Sequence, residues 1–191
     1  MKKYRLLVVL GLIALISLPP LDPYFDQFMS AQLLGQVPLL IGLGALLSIG
    51  FKGYKLQTSM ALAWVVLSFG GVLFWMVPRS LDLAVDSNLI DGLMHLTLVV
   101  CGIGLGLSLP AIGPIGQIAA GIYAVAMWSS MGLILRFSQA QICARFTLDQ
   151  QQSAGLAMLW AGSGLLLVHL LVSITLLVRT GPRTPAKPTH G

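Results

Sequence analysis

The sequence predicts an all-α membrane protein, a bundle of six transmembrane helices with both termini in the cytoplasm. Hydrophobic residues make up 57% of the 191 residues and charged residues only 9%, and the mean hydropathy is +0.90. Soluble domains average about 25% charged residues, so this chain carries too little charge to cover a surface that faces water. A helix needs about 20 residues to cross the hydrocarbon layer. Six apolar runs are visible, and five reach that length: 5–20 (the short one), 28–50, 59–78, 88–109, 114–136 and 150–178.

The first run has two interpretations. The basic start MKKYR followed by a short apolar stretch is also typical of a signal peptide. No small-x-small cleavage site follows it, and the prolines of SLPPLDP end a helix instead. We therefore expect an uncleaved first span. A cleaved protein would begin near Leu21 and cross the membrane five times.

Basic residues predict the orientation, because cytoplasmic loops are enriched in lysine and arginine. Six crossings with both ends inside place eight of the 11 basic residues in the cytoplasm and leave Arg79, Arg136 and Arg145 outside. The acidic residues provide an independent check, since the same topology places all six of them outside. Residues 179–191 form a proline-rich basic tail that we expect to be disordered in the cytoplasm, near anionic lipid. Residues 1–178 are then the transmembrane domain.

Two runs carry features that affect helix packing. Pro38 in the second run is expected to kink the helix, with Gln36 as a partner for the freed backbone groups. Gly102 and Gly106 in the fourth run lie four residues apart, a spacing that lets two helices approach closely. We expect this glycine face to pack inside the bundle. Docking against the helix of a partner protein is the alternative.

The chain carries no motif for catalysis, and we expect it not to be an enzyme. No nucleotide-binding loop, zinc-ligand spacing or nucleophile elbow is present. The net charge of +5 does not indicate a nucleic-acid partner, because the basic residues form short clusters beside the apolar runs and no stripe along a helix.

The best-placed ionisable residue inside an apolar run is His95. Asp91 lies four residues earlier on the same helix face and can orient the imidazole. The helical rise places Met94, Met131 and Met158 at a similar depth. Thioether and imidazole ligands suit Cu(I), so we predict an outward-facing copper site formed by His95, Met131, Met158, Met94 and Asp91. The alternative is that the methionines fill gaps in an apolar bundle and that the histidine joins two helices by a hydrogen bond.

A polar stretch, TLDQQQSAGLAM, precedes the last apolar run at residues 147–158. We expect Asp149, Gln151 and Gln152 to cap this helix start and to lie at the outer membrane interface. There they are candidates to face a partner protein or a metal ion.

Three stretches of the chain are similar to sequence blocks that recur in one family of membrane proteins. QQSAGLAM (151–158) is similar to D-Q-Q-x-A-G-L-x-M-W, FMSAQLLGQVPLLIGLG (28–44) to H-M-x-x-H-L-L-x-x-x-x-P-L-L, and LIDGLMHLTLVVCGIGLG (89–106) to H-x-x-x-H-x-x-F/L-x-x-x-G. These blocks resemble those of the CtaG family, membrane proteins associated with assembly of haem–copper cytochrome c oxidases.

The histidine positions of those blocks are where this chain departs from the family. Phe28 and Gln32 stand at the two histidine positions of the second block, and Asp91 stands at the first histidine position of the third, with His95 at the second. The chain therefore keeps one of the four histidines.

The resemblance implies a multi-pass protein of the bacterial cytoplasmic membrane that assists oxidase assembly. It would act without enzymatic activity, with membrane lipid around it and an oxidase subunit as its partner, and any metal it handles would be Cu(I). The alternative is a structural accessory subunit of a membrane complex that binds no ligand. A small-solute transporter is a third alternative, disfavoured because no inverted repeat or charged midplane pathway is visible.

Overall fold

Helices make up every regular element in the computed structural model, which describes residues 2–18, 21–51 and 56–180. They are α1 (Lys2–Ile16), α2 (Asp22–Gln27), α3 (Met29–Ala31), α4 (Val37–Ser48), α5 (Thr58–Met76), α6 (Pro78–Asp86), α7 (Asn88–Ser108), α8 (Gly113–Phe137) and α9 (Leu148–Thr180). A π-helical segment (Gln32–Gln36) joins α3 to α4, and 3₁₀ turns (Ile49–Phe51 and Leu109–Ala111) follow α4 and α7. The all-α fold class is confirmed. The predicted disordered tail lies outside the described residues from residue 181 onward.

Five helical segments are long and apolar enough to cross a membrane: Met29–Phe51, Thr58–Met76, Asn88–Ala111, Gly113–Phe137 and Leu148–Val178. They match the last five predicted runs, so the chain is a multi-pass membrane protein. The first predicted run is not among these five segments. Its helix, α1, has 15 residues, or about 22 Å against a hydrocarbon layer of about 30 Å. It ends before Pro19 because the residue preceding a proline is disfavoured in a helix.

Helices α4 and α7 pack closely against each other through glycines. A Cβ atom added at Gly102 would collide with the carbonyl oxygen of Ile41, and one added at Gly106 would collide with the side chain of Ser48. Only glycine allows the backbones to approach this closely. Residue numbers rise together along the two helices, which makes them parallel. The prediction that the glycine face packs inside the bundle is confirmed.

Helices α8 and α9 form a second pair, which is antiparallel. Gly121 packs against the imidazole of His169, and Gly132 packs against the backbone of Gly155. The beginning of α9 also packs against α3 and the π segment, which joins this pair to the rest of the bundle. Beyond Leu159, most side chains of α9 are exposed, so its second half faces the membrane on nearly all sides.

The aspartates gather at one end of the bundle. The amide of Gln150 donates to the carbonyl of Gln27 at 3.4 Å, and the backbone amides of Ala144 and Arg145 donate to the carboxylate of Asp82 at 2.7 and 3.1 Å. These contacts join α2, α6 and the start of α9. We call this region the acidic end, and it holds all six acidic residues: Asp22, Asp26, Asp82, Asp86, Asp91 and Asp149. The opposite end, where α1 begins and α4 ends, is called the basic end.

Candidate metal centre

Three elements meet at the acidic end and bring polar side chains together. Asp22 begins α2, Gln36 ends the π segment, and Asp91 and His95 lie one turn apart on α7. Because α4 and α7 run parallel in close contact, the π segment that leads into α4 lies beside the first turns of α7. A π turn is a local departure from α-helical geometry that is frequent at functional sites.

The imidazole of His95 is held from both sides. Its Nδ1 lies 3.2 Å from Oδ2 of Asp91, and its Nε2 lies 2.8 Å from Nε2 of Gln36 and 3.5 Å from Oδ1 of Asp22. In the tautomer with the proton on Nδ1, Nδ1–H donates to Asp91 and the lone pair of Nε2 accepts from the amide of Gln36. His95 is only 5% exposed and Gln36 is fully buried.

The amide nitrogen of Gln36 occupies a point on which two lone pairs converge. It lies 2.8 Å from Oδ1 of Asp22 and 2.8 Å from Nε2 of His95. Two ligand atoms about 2.1 Å from a tetrahedral metal ion lie about 3.4 Å apart. The observed separation of the two acceptors is 3.5 Å. The partly positive NH₂ group therefore stands where a cation would bind.

Several buried polar atoms beside this point lack a hydrogen-bond partner among the described residues. They include Oε1 of Gln36, Oδ1 of Asp91 and both amide atoms of Gln32, which lies one helical turn before Gln36 and is fully buried. Burying such a group without a partner costs about 1–3 kcal/mol in proteins. A cation that accepts the lone pairs of the three oxygens would remove their share of that cost, so these atoms are consistent with a binding site.

Negative charge dominates the site. Burial, and then the nearby Asp91 carboxylate, raise the pKa of Asp22 above its ordinary value. Burial, and then the charge of Asp22, raise the pKa of Asp26 to about 6. Carboxylates that repel one another in a partly dry site are a common feature of functional sites, and a bound cation would relieve the repulsion.

The structure brings together a different ligand group from the one the sequence predicts. The closest group of metal-binding side chains in the described residues is Asp22, Asp91 and His95, whose ligand atoms all lie within 4.8 Å of one another. The pairing of Asp91 with His95 is confirmed. Asp22 and Gln36 belong to distant segments, and the expectation that Gln36 serves the backbone beside Pro38 is wrong, because its amide donates to the cluster.

The predicted methionine ligands lie in the apolar core. Met94, Met131 and Met158 are all buried there. Met158 packs against Gly132 at the interface between α8 and α9, whereas His95 lies on α7, which packs against α4, α5 and α6. Copper ligation by these three thioethers remains a prediction.

The polar residues at the start of α9 hold the loop between α8 and α9 by hydrogen bonds. Thr147 caps the helix, because its Oγ1 accepts the backbone amide of Gln150 at 3.3 Å. Gln151 is fully buried; it accepts from the amide of Ile142 at 2.9 Å and donates to the carbonyl of Ala140 at 3.2 Å. Gln152 donates to the carbonyl of Ser138 at 3.3 Å. Asp149 is exposed and Gln152 is partly exposed, so these two members of the predicted interface remain accessible.

Comparison with known proteins adds no assignment to this geometry. The chain matches no protein-family model, no curated protein and no solved structure at a significant level.

Proposed function

We propose that this protein binds a divalent transition-metal ion at the acidic end and handles it during assembly of a membrane enzyme. The observation that carries the proposal is the convergence of the His95 Nε2 and Asp22 Oδ1 lone pairs on one point, 3.5 Å apart. His95 and Asp22 would coordinate the ion. Asp91 would hold the imidazole in the tautomer that leaves Nε2 free.

Gln36 would be the side chain that changes on binding. Its NH₂ group occupies the cation position, and its Oε1 lacks a partner among the described residues. Rotation of the amide by half a turn would exchange the two atoms and present the oxygen to the ion. The ion would then have one imidazole nitrogen and two or three carboxylate or amide oxygens as ligands.

This ligand set favours a particular class of metal. Imidazole and carboxylate ligands suit Zn²⁺, Cu²⁺ and other borderline divalent ions, whereas Cu(I) prefers sulfur. The proposal therefore differs from the expectation of a thioether copper site. If the cargo is copper, the structure favours its divalent form at this centre.

The orientation that we propose turns the acidic end away from the cytoplasm. All six acidic residues lie there, and eight of the 11 lysines and arginines lie in the sequence at the start of α1, between α4 and α5 or after Val178, as expected for segments on a cytoplasmic face. Both termini are then cytoplasmic, and α1 completes the sixth crossing. Alkaline phosphatase fused after Ser87 or Cys143 should be active, and fused after Tyr54 or Val178 inactive.

The cellular role we propose is non-enzymatic assistance in assembling a haem–copper oxidase in a bacterial cytoplasmic membrane. Its support is the resemblance to the CtaG blocks together with a metal-binding geometry at the position of the retained His95. Deleting the gene should lower oxidase activity in membranes, and the wild-type chain, but not His95→Gln, should restore it. Full rescue by His95→Gln would contradict a role for the metal centre in assembly.

Metal binding itself is tested on the full chain purified in detergent. Titration calorimetry with Zn²⁺ should show one site in the wild type, and His95→Gln or Asp22→Asn should weaken it by more than about 100-fold, since loss of a ligand costs more than loss of a supporting carboxylate. The matched control is Met131→Leu with Met158→Leu, which preserves side-chain volume. The proposed centre predicts unchanged Zn²⁺ affinity in that double variant. Binding that survives in His95→Gln would refute the centre.

A further inference from the structure

An apolar groove at the basic end lies between α1 and α4, about 20 Å along the α4 segment from Gln36. Its volume is about 560 Å³, and its walls include Val9, Leu46, Ile49 and Gly50. Helix α1 packs against α4 but exposes most of its other residues. The groove is therefore open to the membrane along its length.

One charged side chain, Arg5, lies in the lining of this groove. Among the described residues no aspartate pairs with its guanidinium, because all six aspartates lie at the acidic end. In the sequence, Lys2 and Lys3 precede Arg5, and Lys52 and Lys55 follow α4. An apolar groove lined by one basic side chain is complementary to a molecule that has an apolar chain and an anionic head.

We propose that the groove between α1 and α4 is a binding site for one anionic phospholipid, with an acyl chain against Leu46 and Ile49 and the phosphate beside Arg5. Basic pockets between transmembrane helices bind anionic lipid headgroups in this way. The lipid would fill the space that α1 leaves open and would bridge α1 to α4. This site is independent of the metal centre and shares no residue with it.

Native mass spectrometry of the full chain in detergent tests the headgroup assignment. Phosphatidylglycerol should bind with one-to-one stoichiometry and more tightly than phosphatidylcholine, by about fivefold for a single basic residue near the headgroup. Arg5→Gln should remove that preference, and Arg5→Lys should retain most of it. The matched control is Arg79→Gln, which removes the same charge from an exposed position of α6 at the acidic end and should change nothing.

A second pair of variants tests the groove itself. A Cβ at either Gly50 or Gly42 has no neighbouring atom within 4 Å, so a side chain can begin at both positions without a backbone clash. Gly50→Phe places a ring in the groove and should lower binding of both lipids, whereas Gly42→Phe lies outside the lining and should not. Equal binding of the two lipids by the wild type, a preference that persists in Arg5→Gln, or unchanged binding in Gly50→Phe would each overturn the proposal.

Discussion

Replacing Gly102 by alanine tests whether the close contact of α4 and α7 holds the metal centre together. A Cβ at this position would collide with the carbonyl oxygen of Ile41 and would lie 3.0 Å from the backbone nitrogen of Ala45. Ordinary contacts between such atoms are about 3.5–4.0 Å. The two backbones must therefore separate by about 1 Å or more, because neither contact atom belongs to a movable side chain.

Gly42→Ala on α4 provides the reference, since its Cβ meets no atom within 4 Å. Both substitutions gain the same helix propensity, about 1 kcal/mol. The difference in unfolding free energy between the two variants therefore measures the cost of the backbone collision at Gly102. Overpacking of this kind costs about 1–3 kcal/mol, so Gly102→Ala should be less stable than Gly42→Ala by that amount.

The metal centre should respond as well, because Gly102 lies seven residues from His95, about 10 Å along α7. Separating the helices lengthens the 2.8 Å contact between Gln36 and His95 and should weaken Zn²⁺ binding. The assays are unfolding monitored by tryptophan fluorescence in detergent, and Zn²⁺ calorimetry. Equal stability and equal Zn²⁺ affinity of the two alanine variants would refute the argument that this contact positions the centre.

Three further predictions concern single side chains at the acidic end. Asp91→Asn should lower Zn²⁺ affinity by about 10–100-fold, the usual cost of losing a carboxylate that orients a ligating histidine; calorimetry that shows no change would remove Asp91 from this role. Burial and the charge of Asp22 raise the pKa of Asp26 in the folded protein to about 6 from its ordinary value of 3.8, so the folded state binds the extra proton and wild-type stability should fall as pH rises from about 4 to 6. Asp26→Asn should show a shallower fall in thermal unfolding experiments with a chelator present, and parallel curves would contradict the assignment. Cys143 is fully buried and burial raises its pKa to about 12, so maleimide at pH 7.5 should label it slowly in the folded protein and quickly in SDS; rapid labelling of the native protein, located by peptide mass spectrometry, would show that the loop opens.

Local spacing explains which parts of the centre could be predicted from the sequence. Asp91 and His95 lie four residues apart in one helix, and the helical period alone puts them on one face. Asp22 and Gln36 reach the same point only through the turn after α1 and the parallel packing of α4 on α7. No pattern of neighbouring residues in the sequence predicts that these two side chains come together. The buried glutamines of the second run were the available signal, because an amide inside an apolar span needs a partner.

The methionine prediction shows what depth along a helix leaves undetermined. The helical rise places Met131 and Met158 at about the right height, and both are buried. The depth of a residue in the membrane does not specify which helices are neighbours. Here α8 packs against α9, whereas α7 packs against α4 and α5. Apolar spans of similar composition pack in several orders, so the sequence predicts that the spans exist better than it predicts their arrangement.

The parallel pairing of α4 and α7 also constrains the order of events during synthesis. Gln36 and His95 are 59 residues apart, so at about 5–20 residues per second the histidine follows the amide out of the ribosome by about 3–12 s. Helix α5 must enter the membrane in that interval. The side-chain amide of Gln36 has a hydrogen-bond partner in that interval, because Asp22, only 14 residues away, is already available to accept its hydrogen bond. The hydrogen bond between Asp22 and Gln36 thus satisfies a polar side chain during membrane insertion, until α7 brings His95 to the same site.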